Sequence, residues 1–494
     1  MGVVKKQGVA NSIWMYFGLA LGYINMGIIM AKFLSSENLG ARQVIFQAGS
    51  FFSIIALVGL RNIINRFFPS FNNEENKHGG FVTFIMLYWL AGTLLSSVIL
   101  LACKEYVMLF FGEKSNFLNN IYLFIIPFGA SLALFNALTA YSTALLKSTV
   151  PIFIREVGQR VITSLLLILV VLKWISFEQF MNWYLLSYVL AMLVLVIYLI
   201  KMGQFHFSFK VEFKWLARLK EMFVFGLFTW FNNAMQILVK TADVFMLGAI
   251  SGFSSAGIYG LGSLIGSIVQ VPSQSLRQIG APLISRYFEE DNMLEIGNLY
   301  KKTCMVQLVT GLFLYLLILV NLDVIFTIWR PEFASGKIVI VYLGAAQLIG
   351  GSTGMNGRII VESKYFRWNF YFNLMLGVFA VLSNYLLIPQ FGIKGAALAS
   401  GGTIVTVSLL KVLFVYAKFN LQPFSAKTLV GIAIGLIAFF AVNYIPFTQI
   451  FVLDILIRSI LFSIIFIPLI IRSNISPGVN ELYFGFLKKL KILK

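Results

Sequence analysis

The chain has 494 residues, of which 59% are hydrophobic and 12% charged, and its 38 Lys and Arg against 19 Asp and Glu give a net charge of +19. A water-soluble globule is excluded, because the apolar residues form about fourteen stretches, each close to the roughly 20 residues that cross a bilayer. Two cysteines and two histidines exclude a disulfide framework and a Cys/His metal site, and no polar interval is long enough to hold a catalytic domain. A membrane β-barrel is excluded too, since barrel strands are short and alternate polar with apolar.

In chain order the predicted spans are 11–33, 39–60, 81–102, 117–143, 152–172, 178–200, 222–249, 256–280, 303–322, 336–360, 366–388, 393–416, 428–445 and 451–471. The first follows Lys5 and Lys6 as a signal peptide's core would. It is longer than such a core, and Lys32-Phe33-Leu34-Ser35 offers no small-x-small cleavage pattern, so it reads as a retained span. Between the eighth and ninth, Arg286 to Lys302 mixes Glu289, Glu290, Asp291 and Glu295 with apolar residues, which predicts a short surface helix. Cys103 and Cys304 fall near predicted helix ends.

The basic charge explains orientation. With the N-terminus in the cytoplasm, loops on that side carry about 26 of the 38 Lys and Arg, including Lys210, Lys214, Arg218, Lys220, Lys301, Lys302, Lys488, Lys489 and Lys491. This asymmetry predicts both termini in the cytoplasm and removes the need for a nucleic-acid partner.

Leu34-Ser35-Ser36-Glu37-Asn38-Leu39-Gly40 echoes Gly252-Phe253-Ser254-Ser255-Ala256-Gly257, and Lys147 echoes Lys364. Gly40 and Gly257, like Lys147 and Lys364, are 217 positions apart. The repeat predicts a six-helix bundle over 1–215, a second over 216–420, and two further helices with a basic cytoplasmic tail over 421–494. Parallel repeats of this kind imply an all-α, V-shaped, alternating-access transporter.

Ala242-Asp243-Val244-Phe245-Met246-Leu247-Gly248 with Gly257-Ile258-Tyr259 resembles a signature of polysaccharide-unit flippases. Asn384-Tyr385-Leu386-Leu387-Ile388-Pro389-Gln390-Phe391-Gly392-Ile393-Lys394-Gly395-Ala396-Ala397 is similar to their turn between spans eleven and twelve, and Leu34 to Gly40 to their first turn. These flippases belong to the multidrug/oligosaccharidyl-lipid/polysaccharide (MOP) exporter superfamily. Each motif also has a scaffold role: Pro389 ends a helix, Gly392 permits a reversal, and Gly395-Ala396-Ala397 suit close helix contact. The resemblance implies a bacterial inner-membrane protein, not an enzyme, without cofactor. It would move undecaprenyl-diphosphate-linked oligosaccharides to the outer leaflet for O-antigen, lipopolysaccharide or exopolysaccharide synthesis, with a polymerase and glycosyltransferases as partners.

Ionisable residues deep in spans are costly and so mark a wet cavity or a partner. Arg42, Arg160, Lys240, Asp243 and Arg277 are the candidates for a cationic cavity. Arg61, Arg66, Arg155 and Arg358 are the candidates for phosphate capture at the cytoplasmic mouth. Arginine's planar fork suits phosphate oxygens, while lysine acts as a point charge. The plain alternatives are pairing of Lys240 with Asp243 and of Glu156 with Arg160, snorkelling of Arg42 and Arg277, and a structural Asp454–Arg458 pair. Three rival functions are a multidrug cation antiporter, a lipid II flippase, and a membrane glycosyltransferase or polymerase. An antiporter would usually carry a carboxylate inside the first bundle, but span one has none and Glu156, in span five, is the only deep acidic candidate of that bundle. The transferase lacks a large catalytic loop.

Overall fold

The computed structural model describes residues 2–71, 80–112, 119, 121–207, 213–445, 448, 450–475 and 478–480, with the side chains of 2–6, 9, 213–217, 232, 236, 240, 275 and 278 outside that description. Every described element is helical. Among the described residues, eleven helices are long and apolar enough to cross a membrane, or twelve with one bent pair. The chain divides into two compact units, Met1–Gly257 and Ile258–Lys494.

In the first unit, α1 (Gly2–Tyr23) continues into a π-helical segment, Ile24–Met30. Ser35 caps α2 (Ser36–Leu57), its hydroxyl accepting from the Asn38 N–H at 3.2 Å. Val58 and Gly59 both take positive φ, 31° and 78°, and the chain bends by 47° into α3 (Leu60–Phe67). Side chains satisfy the carbonyls near this break: Tyr88 donates to Val58 at 3.0 Å and the Trp230 indole to Ile54 at 2.8 Å. There follow α4 (Phe81–Ala102), α5 (Lys104–Phe111), α6 (Ile125–Ala144), α7 (Thr149–Phe153), a second π-helical segment (Ile154–Gly158), α8 (Gln159–Val171), α9 (Phe177–Lys201) and α10 (Phe213–Ile250). Helix α2 is central and packs against α4, α6 and α10.

The two echoing turns meet in this unit, in a reciprocal contact. A Cβ on Gly40 would sit 1.7 Å from the Phe253 carbonyl oxygen, and one on Gly257 would sit 2.0 Å from that of Ser36. The Ser36 and Ser254 hydroxyls bond at 2.7 Å. Only glycine permits this approach of two backbones, a small-residue helix contact of the kind favoured in membranes.

The second unit begins within α11 (Phe253–Ser267) and continues through α12 (Val271–Glu289), α13 (Met293–Val320), α14 (Leu322–Ile328), α15 (Lys337–Ser352), α16 (Asn356–Glu362), α17 (Phe366–Phe419), α18 (Ala426–Asn443) and α19 (Phe451–Arg472). Its core joins Leu308, Leu312 and Leu316 of α13 to Ala438 and Val442 of α18 and Phe462 and Phe466 of α19. One end of that core is tied by buried polar groups. Arg458 donates to the Val320 carbonyl at 3.4 Å and to that of Ile445, while Asp454 accepts from the Thr448 N–H and hydroxyl, both at 2.8 Å.

Three expectations change. The surface helix over Arg286 to Lys302 is absent as a separate element: Arg286 completes α12 and Lys301 and Lys302 belong to α13. The break is short because Asp291 takes φ 49° and the Asn292 side chain caps α13 at once, accepting from Glu295 N–H at 3.2 Å. Cys304 lies inside α13, buried, with its thiol on the Ser352 carbonyl at 2.7 Å. The stretch predicted as span 152–172 is a helix interrupted by π geometry rather than one continuous apolar run.

Candidate functional site

The candidate residues fall into one centre per unit. In the first, α1 meets the π-helical segment around Glu156 through Gly18 and Gly22. A Cβ at Gly18 would lie 2.3 Å from the Glu156 carbonyl oxygen, and one at Gly22 2.8 Å from a terminal nitrogen of Arg160. The π turn widens the helix by one residue, a distortion frequent at functional sites. Asn25, in the π-helical segment after α1, donates to the Arg160 carbonyl at 2.9 Å and accepts from Ser164 at 2.8 Å, which ties that segment to the first turns of α8.

Glu156 binds two guanidiniums at once, Arg155 Nε at 3.1 Å and Arg160 at 2.9 Å. One carboxylate cannot neutralise both, and positive charge remains. On α2, Arg42 lies over the Tyr184 ring at 4.6 Å and donates to its hydroxyl at 2.9 Å. Tyr184 in turn bonds Tyr188 at 3.1 Å, and Arg42 and Arg160 both act electrostatically on Tyr188. Arg42 Nε is buried without a hydrogen bond among the described residues, as are both amide atoms of Gln43. Gln159 fixes α8 to α9 by exchanging bonds with Ser187, 2.7 Å to its carbonyl and 3.0 Å from its hydroxyl.

At one edge of this unit, exposed Arg66 lies over Phe225 at 4.4 Å and 3.8 Å from Glu221. With Asn62, Asn65, Thr229 and Asn233 it lines an open pocket of about 430 Å³. Arg61 is exposed on the same helix α3. Asp243 is buried in α10, 6% exposed. The Lys240 side chain lies outside the described residues.

The second centre is built differently. Arg277 of α12 donates to Ser273 at 3.3 Å and feels the charges of both Arg358 of α16 and Lys411 of α17. Lys411 Nζ also sits 5.8 Å from the Phe372 ring centre. Among the described residues no carboxylate lies within ion-pair distance of these three cations. Arg277 and Lys411 are half-buried and Arg358 is exposed; like charges that act on one another repel, and a bound anion would relieve them. Helix α12 also contributes Pro272 to an apolar groove of about 430 Å³, lined by Val309 and Phe313 of α13 and Phe466 and Ile470 of α19.

Sequence reasoning located Arg42, Arg160, Arg277 and Arg358 but did not pair them by unit, and it passed over Lys411, Tyr184 and Tyr188. A signal existed for Gly18 and Gly22, whose four-residue spacing is the small-xxx-small pattern of close helix contact. Lys411 stands six residues inside the predicted span 393–416, where an extended lysine reads as snorkelling.

No family model matches the chain. A curated relative, the capsular polysaccharide biosynthesis protein CapF of Staphylococcus aureus, is 22% identical over 210 residues, 42% of this chain and 52% of CapF. The chain thus spans about half the length of that relative. Among solved structures, the lipid II flippase MurJ in its inward closed conformation superposes with TM-score 0.63 at 17% identity, covering 95% of this chain and 100% of MurJ. An inward-facing multidrug resistance MATE transporter of the MOP superfamily gives TM-score 0.57 at 14% identity, over 84% and 98% of the two chains. The MATE multidrug transporter DinF-BH gives 0.52 at 18%, over 85% and 97%. These structures are transporters rather than enzymes, and the chain shares their fold, with the apolar helices of a multi-pass membrane protein.

Proposed function

We propose that the protein is a flippase for polyprenyl-diphosphate-linked oligosaccharide units, carrying them from the cytoplasmic to the outer leaflet of a bacterial inner membrane. The observation that carries this reading is the acid-free trio Arg277, Arg358 and Lys411, on helices that include one wall of an apolar groove. A diphosphate takes the guanidinium forks and the ammonium, and a polyprenyl chain takes the groove. An organic cation, the cargo of a multidrug antiporter, would meet repulsion at such a site.

Arg42 and Arg160, with Tyr184 and Tyr188, supply a second cationic and hydroxyl-bearing surface in the first unit. Arg61, Arg66, Arg155 and Arg358 provide the capture residues at the cytoplasmic mouth, and the pocket at Arg66 presents amides suited to sugar hydroxyls. Exposure of these cations to each membrane face in turn is the motion that moves a headgroup across. Six-helix bundles over 1–215 and 216–420, two added helices, and fourteen crossings with cytoplasmic termini complete the proposal. The CapF similarity favours capsular, O-antigen or exopolysaccharide units, and the MurJ fold makes lipid II the alternative cargo of the same chemical class.

Outward movement of two negative charges runs down an inside-negative potential, by about 5 kcal/mol per 100 mV. Two tests follow. The gene is introduced into strains lacking defined polysaccharide or lipid II flippases, and rescue names the cargo. In vesicles, flipping of a fluorescent lipid-linked sugar is expected to slow severalfold when the potential is collapsed. Transport indifferent to potential but abolished by removing a proton or sodium gradient overturns this drive in favour of antiport.

A further inference from the structure

Helix α17 is broken at Gly392, where φ is 54° and ψ −127°, and it folds back so that Ser383 and Thr403 hydroxyls meet at 3.4 Å. The reversal returns its last turns to the level of its first. Tyr365, just before α17, packs edge-on against Phe414 at 5.8 Å and Phe419 at 5.7 Å, and Trp368 lies 5.1 Å from Phe414. Two ammonium groups sit on the same tyrosine, Lys364 Nζ at 5.4 Å and Lys418 Nζ at 5.6 Å from the ring centre.

Cation–π attraction at exposed sites is worth only about 0.5–1 kcal/mol each, and two cations sharing a ring repel one another. Among the described residues neither lysine has a carboxylate partner, and exposed Arg367 beside them has none either. The surrounding aromatics are exposed, amphipathic Trp368 by 46% and Tyr416 by 51%, and apolar Phe366 by 54%. Tryptophan and tyrosine at a helix end mark the headgroup level of a bilayer, and basic residues there attract anionic lipid on the cytoplasmic side.

The geometry points to a binding site for the phosphate headgroup of an anionic membrane phospholipid, formed by Lys364, Lys418 and Tyr365 with Trp368 against the acyl boundary. Its lysines lie on exposed surface, while half-buried Lys411 of the transport centre lies on the far side of Phe372, which packs against Phe414 at 5.6 Å and Trp368 at 6.4 Å. The bridging phosphate would relieve the repulsion of the two ammoniums, and the site would anchor the α17 hairpin to its leaflet. This inference does not depend on the identity of the transported cargo.

The test uses the full chain in nanodiscs of phosphatidylcholine containing brominated phosphatidylglycerol, with no cargo present. Bromine quenching assigned to Trp368, as the difference between the wild type and Trp368→Phe, reports headgroup occupancy nearby. Lys364→Gln with Lys418→Gln is expected to weaken the phosphatidylglycerol dependence about thirtyfold, and either single change about fivefold. Arg277→Gln should leave it unchanged. Equal quenching in the double variant overturns the site. So does loss of quenching in Arg277→Gln, which would place the lipid in the transport centre. Displacement by millimolar inorganic phosphate would show a free-anion site and overturn the lipid assignment. Both lysine positions are exposed, so thermal melting serves to establish that the variants remain folded.

Discussion

The two units handle the positive charge within their helix packing in opposite ways. In the first, Glu156 is shared by Arg155 and Arg160, Arg42 is stacked and hydrogen-bonded on Tyr184, and Asn25 ties the first π-helical segment to α8. In the second, among the described residues, half-buried Arg277 meets the Ser273 hydroxyl, half-buried Lys411 lies near the Phe372 ring, and Arg358 is exposed. Compensated charge serves architecture, because losing a partner exposes a desolvated ion. Uncompensated charge is a standing cost that a bound anion removes. Under the proposed function, the first centre serves stability and the second would bind the cargo.

The contrast is most severely challenged at Gly18, whose missing side chain lets α1 reach the Glu156 backbone. Gly18→Leu is expected to destabilise by about 3 kcal/mol or more through overpacking against main chain, read as a large fall in melting temperature in detergent. Gly27→Ala, with nothing within 4 Å of the added carbon, is the control and should be close to neutral.

Next come the second-unit cations. Arg277→Gln or Lys411→Met should cut transport at least tenfold, about 1.4 kcal/mol of lost interaction, while melting temperature stays level or rises as repulsion is relieved. A clear fall in stability would mean that these charges are structural after all. Glu156→Gln should behave conversely, losing about 1–2 kcal/mol of stability once partial solvent exposure is allowed for. Its transport defect should be smaller than that of the second-unit variants. The smallest effect is expected at Arg42→Lys, which keeps the charge but loses the stacked planar fork on Tyr184, about 1 kcal/mol in chemical melts.

Much of the architecture was readable beforehand. The apolar run Phe81–Ala102 is one helix with the predicted ends, and the Pro389–Gly392 turn reverses the chain as its residues dictate. Helix ends that depend on a single capping side chain were harder. Asn292 fuses the expected surface helix into its neighbours, because one cap suffices to restart a helix after three residues. The π turns were not readable, since Ile154–Gly158 has no composition that distinguishes it from α-helix. Among site residues, Arg42, Arg160 and Arg277 stood out as charges in apolar surroundings. Their grouping did not, because it depends on which helix faces meet.

The sequence by itself determined a polytopic helical membrane protein, since apolar runs of bilayer length have no other stable solution in lipid or water. It also determined where charge enters those runs. Tertiary structure alone decided that Arg42 lies on Tyr184, that Lys411 joins Arg277 and Arg358, and that the Gly40 and Gly257 turns touch. Such pairings link residues tens to hundreds of positions apart, and periodicity within one helix carries no information about the register between two.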